Sequence, residues 1–360
     1  MRIWMRRMLA AVLVMALLCP GSAAFATEVE STEPENTPEF MEAEATEPEA
    51  TEPEATEPEA TEPEATEPEA TEPEEELQTY TVDTESEIYQ ICQDTAEGMV
   101  YDQLLVYDAT NDEILFSDTR EGPKLYPASV TKLFSSYVAL QHLAPDEVIT
   151  AGKELELVQP GSSVAYIGKG HSLYVQTLVG GMMMPSGNDA AIVLATAAGR
   201  KIAEDPELEP EQAIQVFVQE MNRMAEELGF ERSHFSNPDG WHTGSHYTCL
   251  NDMARIAKLA LENKTIAKYM KKGEADVVFA SGQAITWKNT NLFLNSEKGF
   301  YRSDAVGMKT GFTRQAEYCL MSAFKCNGRI LVIGVFGYAD EHQRFRDVNL
   351  LLKSCKEYLK

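Results

Sequence analysis

Pro127-Ala128-Ser129-Val130-Thr131-Lys132, running into Leu133-Phe134-Ser135-Ser136-Tyr137-Val138-Ala139-Leu140, places a serine and a lysine three residues apart at the head of a largely apolar run. The run has the composition of a buried helix. In a helix over residues 129–143, Ser129 and Lys132 share a face, one turn apart and within hydrogen-bonding reach. A serine hydroxyl is a poor nucleophile until a neighbouring base takes its proton, and that base must itself be unprotonated near neutral pH. Burial disfavours the charged form of a lysine, and a second cation nearby, such as Lys309, pushes in the same direction. For Ser129 alone, an ordinary helix N-cap serine is the plain alternative.

Ser-x-x-Lys is short enough to arise by chance, and the chain holds a second match at Ser322-Ala323-Phe324-Lys325. That match falls in the apolar stretch Leu320 to Phe324, which reads as a strand, where positions three apart face opposite sides of a sheet. It is excluded as a dyad. What selects Ser129 is order: Ser186-Gly187-Asn188 and Lys309-Thr310-Gly311 follow it along the chain. The three clusters are the parts of a serine acyl-transfer site whose general base is a lysine.

Their flanks carry a family resemblance. Pro127 to Lys132, Pro185-Ser186-Gly187-Asn188-Asp189-Ala190-Ala191 and Gly307-Met308-Lys309-Thr310-Gly311-Phe312-Thr313 resemble the three motifs of the low-molecular-mass penicillin-binding proteins, the serine D-alanyl-D-alanine carboxypeptidases of peptidase family S11. Met221-Asn222, Ala225-Glu226-Glu227-Leu228-Gly229, Phe235-Ser236-Asn237-Pro238-Asp239-Gly240 and Asn289-Thr290-Asn291 resemble further landmarks of that family. The similarity spans roughly residues 95–358. It implies an α/β (α+β) fold of the β-lactamase and penicillin-binding-protein transpeptidase type, an antiparallel sheet flanked by helices with a helical subdomain.

The resemblance also implies roles. Ser129 attacks the carbonyl of the penultimate D-alanine of a peptidoglycan stem peptide, and the backbone N–H groups of Ser129 and Phe312 form the oxyanion hole. Gly311 lets the substrate approach the strand edge as an added strand. Ser186 relays a proton to the leaving amine, and Asn188 holds Lys132 and the substrate amide. Lys309, Thr310 and Arg344 form a cationic pocket for the terminal carboxylate; the plain alternative for Arg344 is a surface salt bridge. β-Lactams are the expected covalent inhibitors, and no cofactor is called for. One departure stands out: where the family usually has Ala-Gly after the third motif, this chain has Ala316-Glu317. A glycine at positive φ there would make Glu317 alter the strand beside the cleft.

Competing readings are a D,D-endopeptidase, a β-lactamase of the same fold, and a non-catalytic penicillin-binding wall module. A β-lactamase needs a further glutamate to activate the deacylating water, and no Glu-x-x-Leu-Asn-like segment lies between Asn188 and Lys309, while position 187 is Gly rather than Asp. The intact serine, lysine and asparagine set argues against a non-catalytic module.

The ends set the expected compartment. Arg2, Arg6 and Arg7 precede an apolar run from Met8 to Leu18, and Ala24-Phe25-Ala26 offers small residues for cleavage, so residues 1–26 read as a secretory signal peptide. An uncleaved anchor is the alternative. Residues 27–76 hold 21 glutamates, no Lys or Arg, and repeated Thr-Glu-Pro-Glu-Ala, a composition that buries nothing and is expected to form a disordered spacer. Residues 77–360 are then the catalytic domain, ending soon after a final helix without the β-rich C-terminal domain of many relatives. Any membrane or wall association is expected through the N-terminus only, and the location is extracytoplasmic.

The tail distorts the charge count: of 58 acidic residues 21 lie in it, leaving residues 77–360 at about −10, with no basic face to suggest nucleic acid. Five cysteines follow the signal segment, Cys92, Cys249, Cys319, Cys326 and Cys355; Cys319 and Cys326 fall on one expected strand and cannot bridge locally, and the set reads as mostly buried free thiols. His242 and His246, four apart in a loop rich in Gly and Ser, do not make a zinc site, and no metal is expected. Strands are expected at 103–107 and 113–116, at 318–325 and at 329–336, the last two joined by an Asn327-Gly328 type I′ turn. Helices are expected at 129–143, 174–184, 189–199, 210–228, 249–263 and 341–358.

Overall fold

The structure is a computed structural model that describes residues 80–122 and 124–360. The signal segment and the repeat linker expected at residues 1–76 lie outside the described residues.

A five-stranded antiparallel sheet has the order β2-β1-β9-β8-β7. Its strands are β1 Gln103–Asp108, β2 Glu113–Thr119, β7 Ala305–Thr313, β8 Glu317–Cys326 and β9 Arg329–Tyr338. Period-2 alternation sends successive side chains to opposite faces. Leu104 and Val106 of β1, and Leu331 and Ile333 of β9, pack with α1 (Glu87–Ala96) and α8 (Gln343–Tyr358). Leu105 and Tyr107, with Met321, Ala323 and Val332, face the larger core built with the remaining helices. Both faces are therefore covered, which is why the strands read as near-continuous apolar runs. The β8–β9 hairpin turns at Asn327 (φ 48°) and Gly328 (φ 86°), the two positive φ angles that a type I′ turn demands.

The helical side comprises α2 Lys132–His142, α3 Val175–Met183, α4 Asn188–Ile202, α5 Pro210–Glu227, α6 Leu250–Glu262 and α7 Lys264–Met270. Short hairpins β3–β4 (Val148–Thr150 with Ser172–Tyr174) and β5–β6 (Glu274–Val278 with Ala284–Lys288) complete the fold. Helix α1, helix α7 and these hairpins had no counterpart in the sequence reading.

The expected helix over 129–143 needs correction. Ser129 lies in a 3-10 turn, Ala128–Thr131, and the α-helix begins only at Lys132. The first turn closes with i→i+3 hydrogen bonds, from the Val130 N–H to the Pro127 carbonyl and from the Lys132 N–H to that of Ser129, and Ala128 at its head has φ 47°. Among the described residues the cysteines are buried or half-buried and free, with one relation unforeseen in the sequence: Cys92 of α1 and Cys355 of α8 sit in sulfur–sulfur contact at 3.7 Å. Ser322 is fully buried on β8, accepts a 2.8 Å hydrogen bond from Asn291, and faces away from the exposed Lys325, as strand geometry requires.

Candidate active site

The turn that carries Ser129 is clamped from two sides. The Ser129 amide nitrogen lies against the backbones of Gly311 on β7 and Gly240 in the loop after Asn237. A Cβ at Gly240 would fall 1.8 Å from the Ala128 carbonyl oxygen, and one at Gly311 would fall 2.9 Å from that of Pro127 and 3.1 Å from the Ser129 nitrogen. Only glycine allows this closeness, and Gly240 also has φ +83°. The loop carrying Gly240 is fixed by Asn222 of α5, whose side chain exchanges hydrogen bonds with the Phe235 backbone, accepting from its N–H and donating to its carbonyl, each at 2.8 Å.

Lys132 is fully buried, and its Nζ meets three acceptors: Ser129 Oγ at 2.9 Å, Asn188 Oδ1 at 2.8 Å and the Asp239 carbonyl oxygen at 2.6 Å. The two carbonyl-type oxygens can only accept. A neutral amine has two protons and a lone pair; with both protons given to these oxygens, the lone pair points at the one partner able to donate, the Ser129 hydroxyl. Burial pushes Lys132 down to about 8, against the Asp239 and Asp189 carboxylates, which favour the ammonium. Lys309 is likewise held well below the usual lysine range, by burial first and then by the charges of Lys132 and Arg344, and the repulsion between the two lysines is mutual. Two cations cannot share this dry region.

Ser186 and Asn188 arrive on the turn between α3 and α4. Asn188 Nδ2 donates to Ser162 Oγ at 2.9 Å while its Oδ1 holds Lys132, so the amide is pinned at both ends. Asp189 accepts from the backbone N–H groups of Ala165 and Ile167 and ties that loop down. Lys309 Nζ donates to Ser186 Oγ at 2.7 Å and to the Thr310 carbonyl at 2.8 Å. It lies behind the wall that Ser186 and Thr310 present to the cleft, not on its surface. Thr310 Oγ1 meets Thr290 Oγ1 at 2.6 Å.

The cleft between these elements has a volume of about 260 Å³ and runs along β7, the edge strand of the sheet. Phe312, more than half exposed, lies on this edge with its ring 4.5 Å from that of Tyr318. Arg344 lines the cleft but is nearly buried; its Nη1 donates to the carbonyls of Cys319 (2.6 Å) and Gly311 (3.2 Å), and its Nη2 lies 3.6 Å from Glu341. It is thus a brace between β7 and β8 as well as a cation at the cleft, and the plain alternative of a surface salt bridge does not describe it.

Backbone strain gathers here. Ala128, Ser186 (φ 64°) and Met308 (φ 95°) are non-glycine residues at positive φ, each in or next to a motif. Glu317, at the family's usual glycine position, also has positive φ (52°), on the strand paired with β7. A left-handed residue bearing a Cβ costs about 1–2 kcal/mol, and a glycine loses about 0.5–1 kcal/mol of that through its unfolded-state entropy. Glu317→Gly is therefore expected to raise stability by about 0.5–1 kcal/mol, read from the urea midpoint; a lower midpoint would mean that the Glu317 side chain makes contacts worth more than the strain.

The structure brings Ser129, Lys132, Ser186, Asn188, Lys309, Thr310, Gly311, Phe312 and Arg344 to one cleft or directly behind it. Sequence reasoning missed Asp239 and Gly240 as parts of the site, although their segment was noted; a Pro-Asp-Gly turn signal gives no hint that its carbonyl reaches a lysine 107 positions away. It also passed over Ser162, and gave no site role to Thr290, noted only as a landmark, or to His246, weighed only as a zinc ligand. The buried His246 accepts from the Ser236 amide at Nδ1 and meets Thr131 Oγ1 at Nε2, while His242 packs edge-on against Tyr126.

Comparison with known proteins follows this geometry. The family model of the D-alanyl-D-alanine carboxypeptidases, peptidase S11, matches residues 97–339. A D-alanyl-D-alanine carboxypeptidase of Streptomyces sp. (strain K15) is 31% identical over 225 residues, 60% of this chain and 72% of that one. DacF of Bacillus subtilis (strain 168), a D-alanyl-D-alanine carboxypeptidase, is 27% identical over 258 residues, 69% of this chain, and the match takes in 62% of its length. The crystal structure of the Streptomyces K15 DD-transpeptidase superposes with a TM-score of 0.62 at 27% identity, covering 71% of this chain and 96% of that one. With the model matching well over half its length, the chain belongs to the D-alanyl-D-alanine carboxypeptidase family of serine peptidases, S11.

Proposed function

We propose that this chain is a serine D,D-carboxypeptidase that removes the terminal D-alanine from peptidoglycan stem peptides ending in D-Ala-D-Ala, and that penicillin acylates the same serine. The observation that carries this reading is the Lys132 environment: two acceptor-only oxygens and one hydroxyl around a buried amine aim its lone pair at Ser129. Ser129 Oγ bonds to the carbonyl carbon of the penultimate D-alanine, and its proton passes to Lys132. The carbonyl π electrons move to an oxyanion held by the N–H groups of Ser129 and Phe312. Collapse breaks the C–N bond; the departing D-alanine amine takes a proton that Lys132 supplies through the Ser186 hydroxyl, itself held by Lys309. Water then attacks the ester, giving its proton to Lys132, and Ser129 leaves reprotonated. The acyl-donor peptide lies along the open edge of β7, with its terminal carboxylate toward Thr310 and Arg344.

The β-lactamase alternative lacks support. The carboxylates lining the cleft are those of Asp239, whose Oδ1 accepts from the Trp241 N–H, and Glu341, which faces Arg344; Ser129 Oγ reaches only the backbone carbonyl of Asp239, at 3.5 Å, and neither carboxylate. Residues 1–26 are proposed as a secretory signal, 27–76 as a spacer and 77–360 as the catalytic domain, acting outside the cytoplasm on the cell wall. Among the described residues no helix is long and apolar enough to cross a membrane.

The test is release of D-alanine from a diacyl-D-Ala-D-Ala peptide, followed from pH 6 to 10. The active form holds Lys132 neutral, so activity is lost as pH falls: kcat/KM is expected to rise about tenfold per pH unit below the Lys132 value and to level off above about 8. No D-alanine release sinks the reading. A flat profile between pH 6 and 8 would give the base role to another group.

A further inference from the structure

Behind the nucleophile turn runs a short chain of hydrogen bonds that the mechanism above does not use. The buried His246 accepts the Ser236 N–H at Nδ1 (3.1 Å), so that nitrogen carries no proton and the other, Nε2, does. Nε2 lies 2.8 Å from Thr131 Oγ1, which in turn lies 2.8 Å from the Ala128 carbonyl oxygen. With the histidine donating, the threonine hydroxyl has its proton free for Ala128, and every donor has one acceptor. Burial, with the positive charges possible at His234, His242 and Lys132, pushes His246 down to about 3, in keeping with a neutral ring.

The end of this chain matters because the Ala128 carbonyl and the Ser129 N–H belong to one planar peptide unit. Fixing the oxygen fixes the direction of the N–H on its far side, the proposed oxyanion donor, and the start of the Ser129 side chain. That peptide needs holding: Ala128 is at φ 47°, a conformation that residues with a Cβ avoid, and the Gly240 backbone presses on the same oxygen. We propose that His246, acting through Thr131, is a positioning residue for Ser129, orienting the 128–129 peptide so that the nucleophile and its oxyanion-stabilising N–H stay aligned. This rests on the acyl-transfer reading of the site and extends it to two residues outside the three motif roles.

The test compares isosteric halves of the imidazole in the full chain, read by the rate of acylation with labelled penicillin and by kcat and KM for the D-Ala-D-Ala peptide. His246→Gln keeps a donor near the Nε2 position and is expected to acylate within about threefold of wild type. His246→Asn keeps only the acceptor for Ser236 and is expected to lose about 10- to 100-fold, in kcat rather than KM, the scale of a misplaced reacting group. Thr131→Val removes the same link and should lose as much, Thr131→Ser should stay near wild type, and Thr131→Val with His246→Asn should be no worse than either alone. A purely structural role would lower the melting temperature of both histidine variants without separating their rates. Equal rates for the Asn and Gln variants, or for Val and Ser at 131, overturn the proposal; the threonine pair decides it if the histidine variants fail to fold. Wild-type chain that takes up no label at all would instead sink the acyl-transfer reading, and this proposal with it.

Discussion

Lys132→Ala should leave a folded protein that labelled penicillin acylates about 10²–10⁴ times more slowly than wild type, the range for removing a positioned general base. Wild type should carry one label per chain, on Ser129, and lose it only slowly, because among the described residues lining the cleft no carboxylate is hydrogen-bonded to Ser129 to help Lys132 activate a deacylating water. The substitution empties a site beside an open cleft, so the orphaned Asn188 Oδ1 and Asp239 carbonyl can turn to water. Circular dichroism and a melting curve check the fold; intact-mass and peptide mass spectrometry check the label. Near-normal acylation of a folded Lys132→Ala protein would mean that another group takes the serine proton. Label on Ser322 would contradict the assignment outright, since that hydroxyl is fully buried and bonded to Asn291.

The second large effect is expected at Arg344. Arg344→Ala should lower kcat/KM for D-Ala-D-Ala peptides by one to two decades, the scale of a charge-assisted hydrogen bond of about 1.5–3 kcal/mol. A peptide amidated at its C-terminus should already be poor and should lose little more from the same change, because mutation and amidation remove one interaction and do not add. The structure supplies the competing outcome. Nη1 of Arg344 holds the Gly311 and Cys319 carbonyls, and Glu341 neighbours Nη2, so an arginine acting only as a brace would cost both substrates alike. Equal losses would leave Thr310, backed by Lys309, as the carboxylate's partner. A steady-state comparison of the four enzyme–substrate combinations separates the two.

The four strands of two hairpins of the sheet and the main helices were legible because both covered faces of the sheet produce continuous apolar runs, and because Asn327-Gly328 marks its turn chemically. Small elements were not. Strand β5 alternates exposed and half-buried residues, β6 buries only Trp287, and α7 is only two turns long, too short for a periodic signal. The start of the helix assigned across Ser129 was misplaced because the sequence Pro127-Ala128-Ser129 has no residue that demands a positive φ, while Ala128 adopts one where Gly240 and Gly311, from distant parts of the chain, close on it.

The sequence by itself determined which residues are candidates for the reactive groups. Residue types, spacing and order were enough to pick Ser129 and Lys132 over Ser322 and Lys325, because a strand's two-residue period forbids the second pair whatever surrounds it. Tertiary structure alone decided the state and aim of those groups. The lowered proton affinity of Lys132 depends on complete burial, its hydrogen-bond directions on the carbonyl of Asp239 from a loop more than a hundred residues away, and the mutual repulsion of Lys132 and Lys309 on how the fold brings the two together. Desolvation and hydrogen-bond direction are properties of what surrounds an atom in space, and the chain's linear order does not contain them until it folds.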